Sequence, residues 1–179
     1  MRVSPFSLAA GCVLFLHVST QAGHIVKDTV TGGLKISLHV VEAEPFFTRQ
    51  EVEAKKVTAG MLIVSGAAPL TPEDSAKPNH HLVVHAYDAK SGKALTKAQV
   101  TMSFQSVDAT GKPAAAEVAV PVVTMQAIGK GPQSTHFGNN VVMPDGIYEV
   151  KVRVNAVSLK FIIDTDKADA PATDHMHMK

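Results

Sequence analysis

The sequence predicts an all-β chain, folded as an antiparallel two-sheet sandwich with one short helix, and three observations predict it. Of its 179 residues 45% are apolar but only 5% are aromatic, so aliphatic side chains must build the core. Valine and alanine recur in period-two runs that suit a pleated surface with one buried face. Clusters of Gly, Pro, Asp and Asn separate those runs at strand-length intervals. A chain of this length can bury one core without disulfide or metal staples. The formal net charge is +1 and no block of Lys and Arg exceeds two residues, so the charge pattern of a nucleic-acid or anionic-membrane partner is missing.

The elements follow in order. Residues 1–22 read as a signal peptide. Arg2 supplies the basic start, residues 6–18 are largely apolar, and Thr20-Gln21-Ala22 offers small residues at the positions a signal peptidase inspects. The apolar stretch is shorter than the roughly 20 residues of a spanning helix. Export to the periplasm or beyond is therefore expected, with no membrane insertion after cleavage. Cleavage after Ala22 removes Cys12, the only cysteine, and with it disulfide and thiolate chemistry. Lipidation of Cys12 after Ala9-Ala10-Gly11 fits less well, because the apolar run continues through Val13, Leu14, Phe15 and Leu16.

Residues 23–165 hold the predicted sandwich. From Leu34 to Val41 the residues alternate, which sends Leu34, Ile36, Leu38 and Val40 inward. Thr48-Arg49-Gln50-Glu51 has the form of a capping box and starts a helix that runs to about Val57. Residues 61–65 form the next strand, and Pro69, Pro72, Asp74, Pro78 and Asn79 mark a loop. Further strands are expected at residues 81–88, 99–107, 117–125, 148–154 and 158–164. The turns between them are Lys90-Ser91-Gly92-Lys93, the run from Asp108 to Pro113, and Pro144-Asp145-Gly146. Roughly seven strands at this spacing predict a sandwich of immunoglobulin-like type. Residues 166–179 are polar and aperiodic, an expected unpacked tail ending in His175-Met176-His177-Met178.

The nine histidines are unevenly placed. His80, His81 and His85 sit together, His136 follows a glycine-rich loop, and His175 and His177 share the tail. Positions 81 and 85 point to the same side of a strand, which makes the face of His81, Val83, His85 and Tyr87 a candidate metal surface. Leu82, Val84 and Ala86 then go to the core, and His80 faces away from His81. The second patch runs from Met125, at the end of a strand, through the glycine-rich loop to His136. Thioether and imidazole together suit copper better than calcium or magnesium. Each feature has a plainer explanation as well: strand histidines are often solvated, and methionine usually fills a core. The glycine-rich loop lacks the Lys-Ser/Thr and the helix of a phosphate cradle. The tail would collect metal only weakly, because it must be ordered on binding. Cleavage after Gly23 instead of Ala22 would give a mature N-terminal His24, another copper chelator. No nucleophile elbow, His-Glu-x-x-His helix or compact acidic pair is present, so no enzymatic activity is expected.

The run His136-Phe137-Gly138-Asn139-Asn140-Val141-Val142-Met143, preceded by Met125, resembles the periplasmic iron-transport accessory family. These are exported immunoglobulin-like proteins that bind copper beside a second, iron or manganese site. Gly146-Ile147-Tyr148-Glu149-Val150 is similar to the family's Gly-x-Tyr-Glu-Leu strand, and the run from His81 to Ala86 to its early His-Leu strand. The resemblance implies His81, Met125 and His136 as copper ligands. The family's later histidine has no counterpart between Val150 and Asp164, so His85 is the candidate for the remaining position, with the tail or a second chain as alternatives. Val83 stands where the family has an acidic residue, which leaves the iron or manganese site without a hard ligand. The expectation is an exported copper-binding protein using His81, His85, Met125 and His136. Its further partner would be an inner-membrane transporter or a second copy of itself. The alternative is a structural or assembly-type β-sandwich without a specific metal site, its exposed strands pairing with a partner.

Overall fold

The computed structural model describes residues 25–66 and 78–167. Eleven strands and one α-helix are formed among them. The larger sheet has seven strands in the order β1-β2-β5-β9-β8-β4-β3, namely β1 (Ile25–Thr31), β2 (Leu34–Glu42), β5 (His80–Asp88), β9 (His136–Val141), β8 (Val123–Ala127), β4 (Met61–Gly66) and β3 (Phe46–Phe47). The smaller sheet has four, in the order β11-β10-β6-β7: β11 (Val157–Asp164), β10 (Ile147–Val154), β6 (Val100–Ser106) and β7 (Val118–Val120). The chain is a mostly β sandwich, as expected, with more strands than the period-two runs reveal. Every pair is antiparallel except the two-residue β3, which runs parallel to β4.

The core lies between the sheets. Ile36, Leu38 and Val40 of β2 and Leu82, Val84 and Ala86 of β5 are fully buried and meet Val150, Val152, Phe161 and Ile163 of the smaller sheet. The alternation in β2 and β5 therefore points inward as the sequence predicts, which leaves the odd-numbered residues of both strands on the outer face.

Several boundaries differ. The predicted strand over 117–125 is two strands in different sheets. Pro121 has no N–H to offer a ladder, so the chain leaves the smaller sheet after Val120 and joins the larger one at Val123. β1 is additional. Its burial is patchy, so it carries little alternation, and the sign of it was Gly32-Gly33, both at positive φ (56° and 75°), the turn that links it to β2. β9 is additional too, since Gly138, Asn139 and Asn140 are poor strand formers. Gly138 is there because β9 comes so close to β5 that any Cβ would run into the Leu82 carbonyl and lie 2.7 Å from the Val83 Cα.

The capping box is present. The Glu51 amide donates to the Thr48 hydroxyl at 3.2 Å and the Thr48 amide to the Glu51 carboxylate at 2.9 Å. The helix α1 (Arg49–Lys55) that it opens buries no residue and stops at Lys56 in the left-handed conformation, slightly short of Val57. Thr165–Lys167 forms one 3-10 turn after β11. The predicted signal peptide, His24, most of the proline-rich loop after Pro69, and His175 to Met178 lie outside the described residues. Among the described residues no helix is long and apolar enough to cross a membrane.

Candidate functional site

The outer face of the larger sheet gathers histidines by strand parity and register. On β5, His81, Val83, His85 and Tyr87 share that face. The β2–β5 register sets His39 opposite Val83, diagonal to both His81 and His85. The β5–β9 register sets Asn140 opposite His81, which brings His136, four residues back on the same face of β9, beside His85. Ring centroids are 5.5 Å apart for His81 and His136, 5.0 Å for His85 and His136, and 4.6 Å for His39 and His85. Tyr87 stacks on His85 at 6.2 Å, and Phe46 meets the His81 ring edge-on at 5.7 Å.

The rings of His39, His81, His85 and His136 line a cavity of about 170 Å³ together with Val41, Met61, Val83, Ala127 and Ser134. That volume is below the roughly 300 Å³ at which small-molecule sites begin, so the space suits an ion with a water or two. Larger concavities of about 540 and 520 Å³ lie over the smaller sheet and at its join with β8 and β9. Among the described residues no unpaired buried polar atom lines either of them.

Buried polar atoms without a partner occur on the imidazole face and, on the opposite face, at both ring nitrogens of His80. His81 is 1% exposed and His136 2%. Among the described residues, Nε2 of His81, Nε2 of His136 and Nδ1 of His85 are buried without a hydrogen-bond partner. Burial, with neighbouring rings adding to it, pushes His81 down to about 4 and His85 down to about 3. Burial lowers His136 as well, against the opposing bond to the Ser134 carbonyl. All three are therefore neutral near pH 7 and keep a lone pair.

Of the predicted ligands, His81, His85 and His136 come together. Met125 is the cross-strand partner of His136 and fully buried, but it packs with Val83, Val123 and Ile63 in a small apolar cluster beside the cavity. The thioether side chain that lines the cavity is Met61. His80 is buried on the opposite face and does not line it. Sequence reasoning missed His39 and Met61. The parity that sends Leu38 inward also sends His39 outward, so half of that signal was present; the strand register was not. Among the described residues, no group of three or more His, Cys, Asp or Glu is arranged as a ready-made metal cage.

Comparison with protein-family models, curated proteins and solved structures found no match.

Proposed function

We propose that this chain is an exported, non-enzymatic metal-binding protein of the periplasm or cell exterior, taking up a transition-metal ion on the imidazole face of its larger sheet. Copper is the first candidate, with iron or manganese behind it. His81, His85 and His136 supply nitrogen, and sulfur comes from Met61 or, after a small repacking, from Met125. One observation carries this reading: three buried imidazole nitrogens without partners stand around one small cavity. A buried polar atom left unsatisfied costs about 1–3 kcal/mol, and a metal ion is the partner that neutral imidazoles share best. The resemblance of the run from His136 to Met143 to the iron-transport accessory family, with its immunoglobulin-like sandwich, supports the same direction. On that reading the ion passes to an inner-membrane transporter or a second copy of the chain.

A second reading, a structural or assembly-type sandwich with incidental histidines, is favoured by the lack of a preformed cage of His, Cys, Asp or Glu among the described residues. On that observation alone it is the better supported. Edge strand β1 adds to it, with Val26 43% and Val30 69% exposed. The orphaned nitrogens of His81, His85 and His136 support metal, because they stand around one cavity, which a pairing surface gives no reason for.

A copper titration of the full chain separates the two. The metal reading expects about one tightly held ion per chain, lost in His136→Ala. The structural reading expects weak uptake that survives His136→Ala and vanishes when residues 166–179 are deleted.

A further inference from the structure

We infer that the fold locks the tautomers of three imidazoles on this face, with Asn140 as the positioning residue for His81. The acceptor nitrogens offered to an ion are then Nε2 of His81 and Nε2 of His136, beside the unpartnered Nδ1 of His85. This rests on the metal reading above and specifies its ligand atoms.

Three hydrogen-bond arrangements of different chemistry fix the three rings. For His81, Nδ1 lies 2.8 Å from Asn140 Oδ1. The amide cannot be turned the other way round, because Asn140 Nδ2 donates to the Glu44 carbonyl at 2.7 Å and Oδ1 accepts from the Glu44 amide at 3.3 Å. Oδ1 is an acceptor only, so His81 must carry its hydrogen on Nδ1, and Nε2 keeps the lone pair. For His136, Nδ1 lies 2.8 Å from the Ser134 carbonyl oxygen. A carbonyl also only accepts, so here again the hydrogen is on Nδ1 and the lone pair on Nε2. In both rings Nε2 is the buried nitrogen without a hydrogen-bond partner.

His39 is set by a relay. The Ser37 hydroxyl donates its one hydrogen to Asp28, whose carboxylate also pairs with Lys35 at 3.3 Å. Ser37 Oγ lies 3.0 Å from His39 Nε2 and, its hydrogen committed, accepts there. His39 therefore carries its hydrogen on Nε2 and its lone pair on Nδ1. Its ring lines the same cavity, 4.6 Å from that of His85.

Outer partners of this kind are what a metal-binding imidazole needs, since they choose the donor nitrogen and hold the ring plane, and their loss typically weakens binding about 10- to 100-fold. The cavity wall contains no Asp or Glu. A set of neutral imidazoles with one thioether cannot balance a hard cation, so the ion it takes is soft or borderline, copper or zinc in preference to magnesium, calcium or ferric iron.

The test uses the full metal-free chain with ¹⁵N-labelled histidine, and nitrogen–proton correlation spectra that report the tautomer of each ring near neutral pH. The expected result is Nδ1–H for His81 and His136 and Nε2–H for His39. In Asn140→Ala the His81 tautomers should mix, and affinity for Zn²⁺ and Cu⁺ should fall about 10- to 100-fold. Asn140→Asp keeps an acceptor at Oδ1 and should restore both, which guards against a mere folding defect. Mixed or reversed tautomers in the wild-type chain would overturn the inference, as would Asn140→Ala binding as tightly as wild type. Locked tautomers in a chain that takes up neither ion would overturn the metal reading and the ligand role of these nitrogens with it, and the spectra would show that the lock itself had not failed.

Discussion

Burying His81 and His85 as neutral rings ties the stability of the metal-free protein to pH. Their folded values, about 4 and about 3, lie below the ordinary 6.5. Between those limits the unfolded chain binds more protons than the folded one, so the contribution is complete above pH 6.5 and is lost as pH falls towards 4 and then 3. Each proton taken up costs at most about 1.4 kcal/mol per pH unit. Thermal melts of the metal-free chain should therefore show Tm falling from pH 7 to pH 4, with a shallower slope in His85→Phe; equal Tm across that range would contradict the burial. At Gly138 the expected effect is steric. Gly138→Ala forces a Cβ against the Leu82 carbonyl and the Val83 backbone and should cost about 1–3 kcal/mol or more in denaturant unfolding, loosening β9 from β5. At this scale the sequence was partly legible. Parity alone united His81 with His85, and the glycine-rich loop pointed to His136. The choice between Met125 and Met61, and the presence of His39, depended on which strands lie side by side.

The elements divide into those that hold the site and those that do not. β5 does both jobs of the sandwich, its even residues filling the core and its odd residues forming the imidazole face. α1 does neither, since it buries nothing. Removing its cap by Thr48→Ala should destabilise the helix by about 1 kcal/mol and leave metal stoichiometry unchanged; a lost site in that variant, measured by the same copper titration, would mean that α1 supports the cavity. Element legibility followed signal strength. The capping box and the alternating β2 and β5 were readable because each satisfies a local rule. β1 lacks alternation, β9 is disguised by Gly138 and the asparagines, and the break at Pro121 is carried by a single residue, a proline that cannot join a ladder.

At the scale of the whole molecule, both sheets share one core, and the site sits on the outside of the larger one. Stability and metal uptake should therefore respond to different substitutions. Leu82 is fully buried between the sheets, so Leu82→Ala should cost about 2–5 kcal/mol in denaturant unfolding while the folded fraction still binds metal. His81→Ala, on the other face of the same strand, should remove binding with far less loss of stability. The sandwich was legible from composition and turn spacing, because two-sheet packing is the general way to bury many short alternating strands. The pairing order was not, since it depends on contacts far apart in the chain. The central claim, that imidazoles from separate strands share one ion with a thioether, is tested most directly by X-ray absorption at the copper edge on the loaded full chain. A first shell of imidazole nitrogens with one sulfur scatterer, at about one copper per chain, is the predicted result. A shell of light atoms without imidazole scattering, or copper that washes away during preparation, would contradict it.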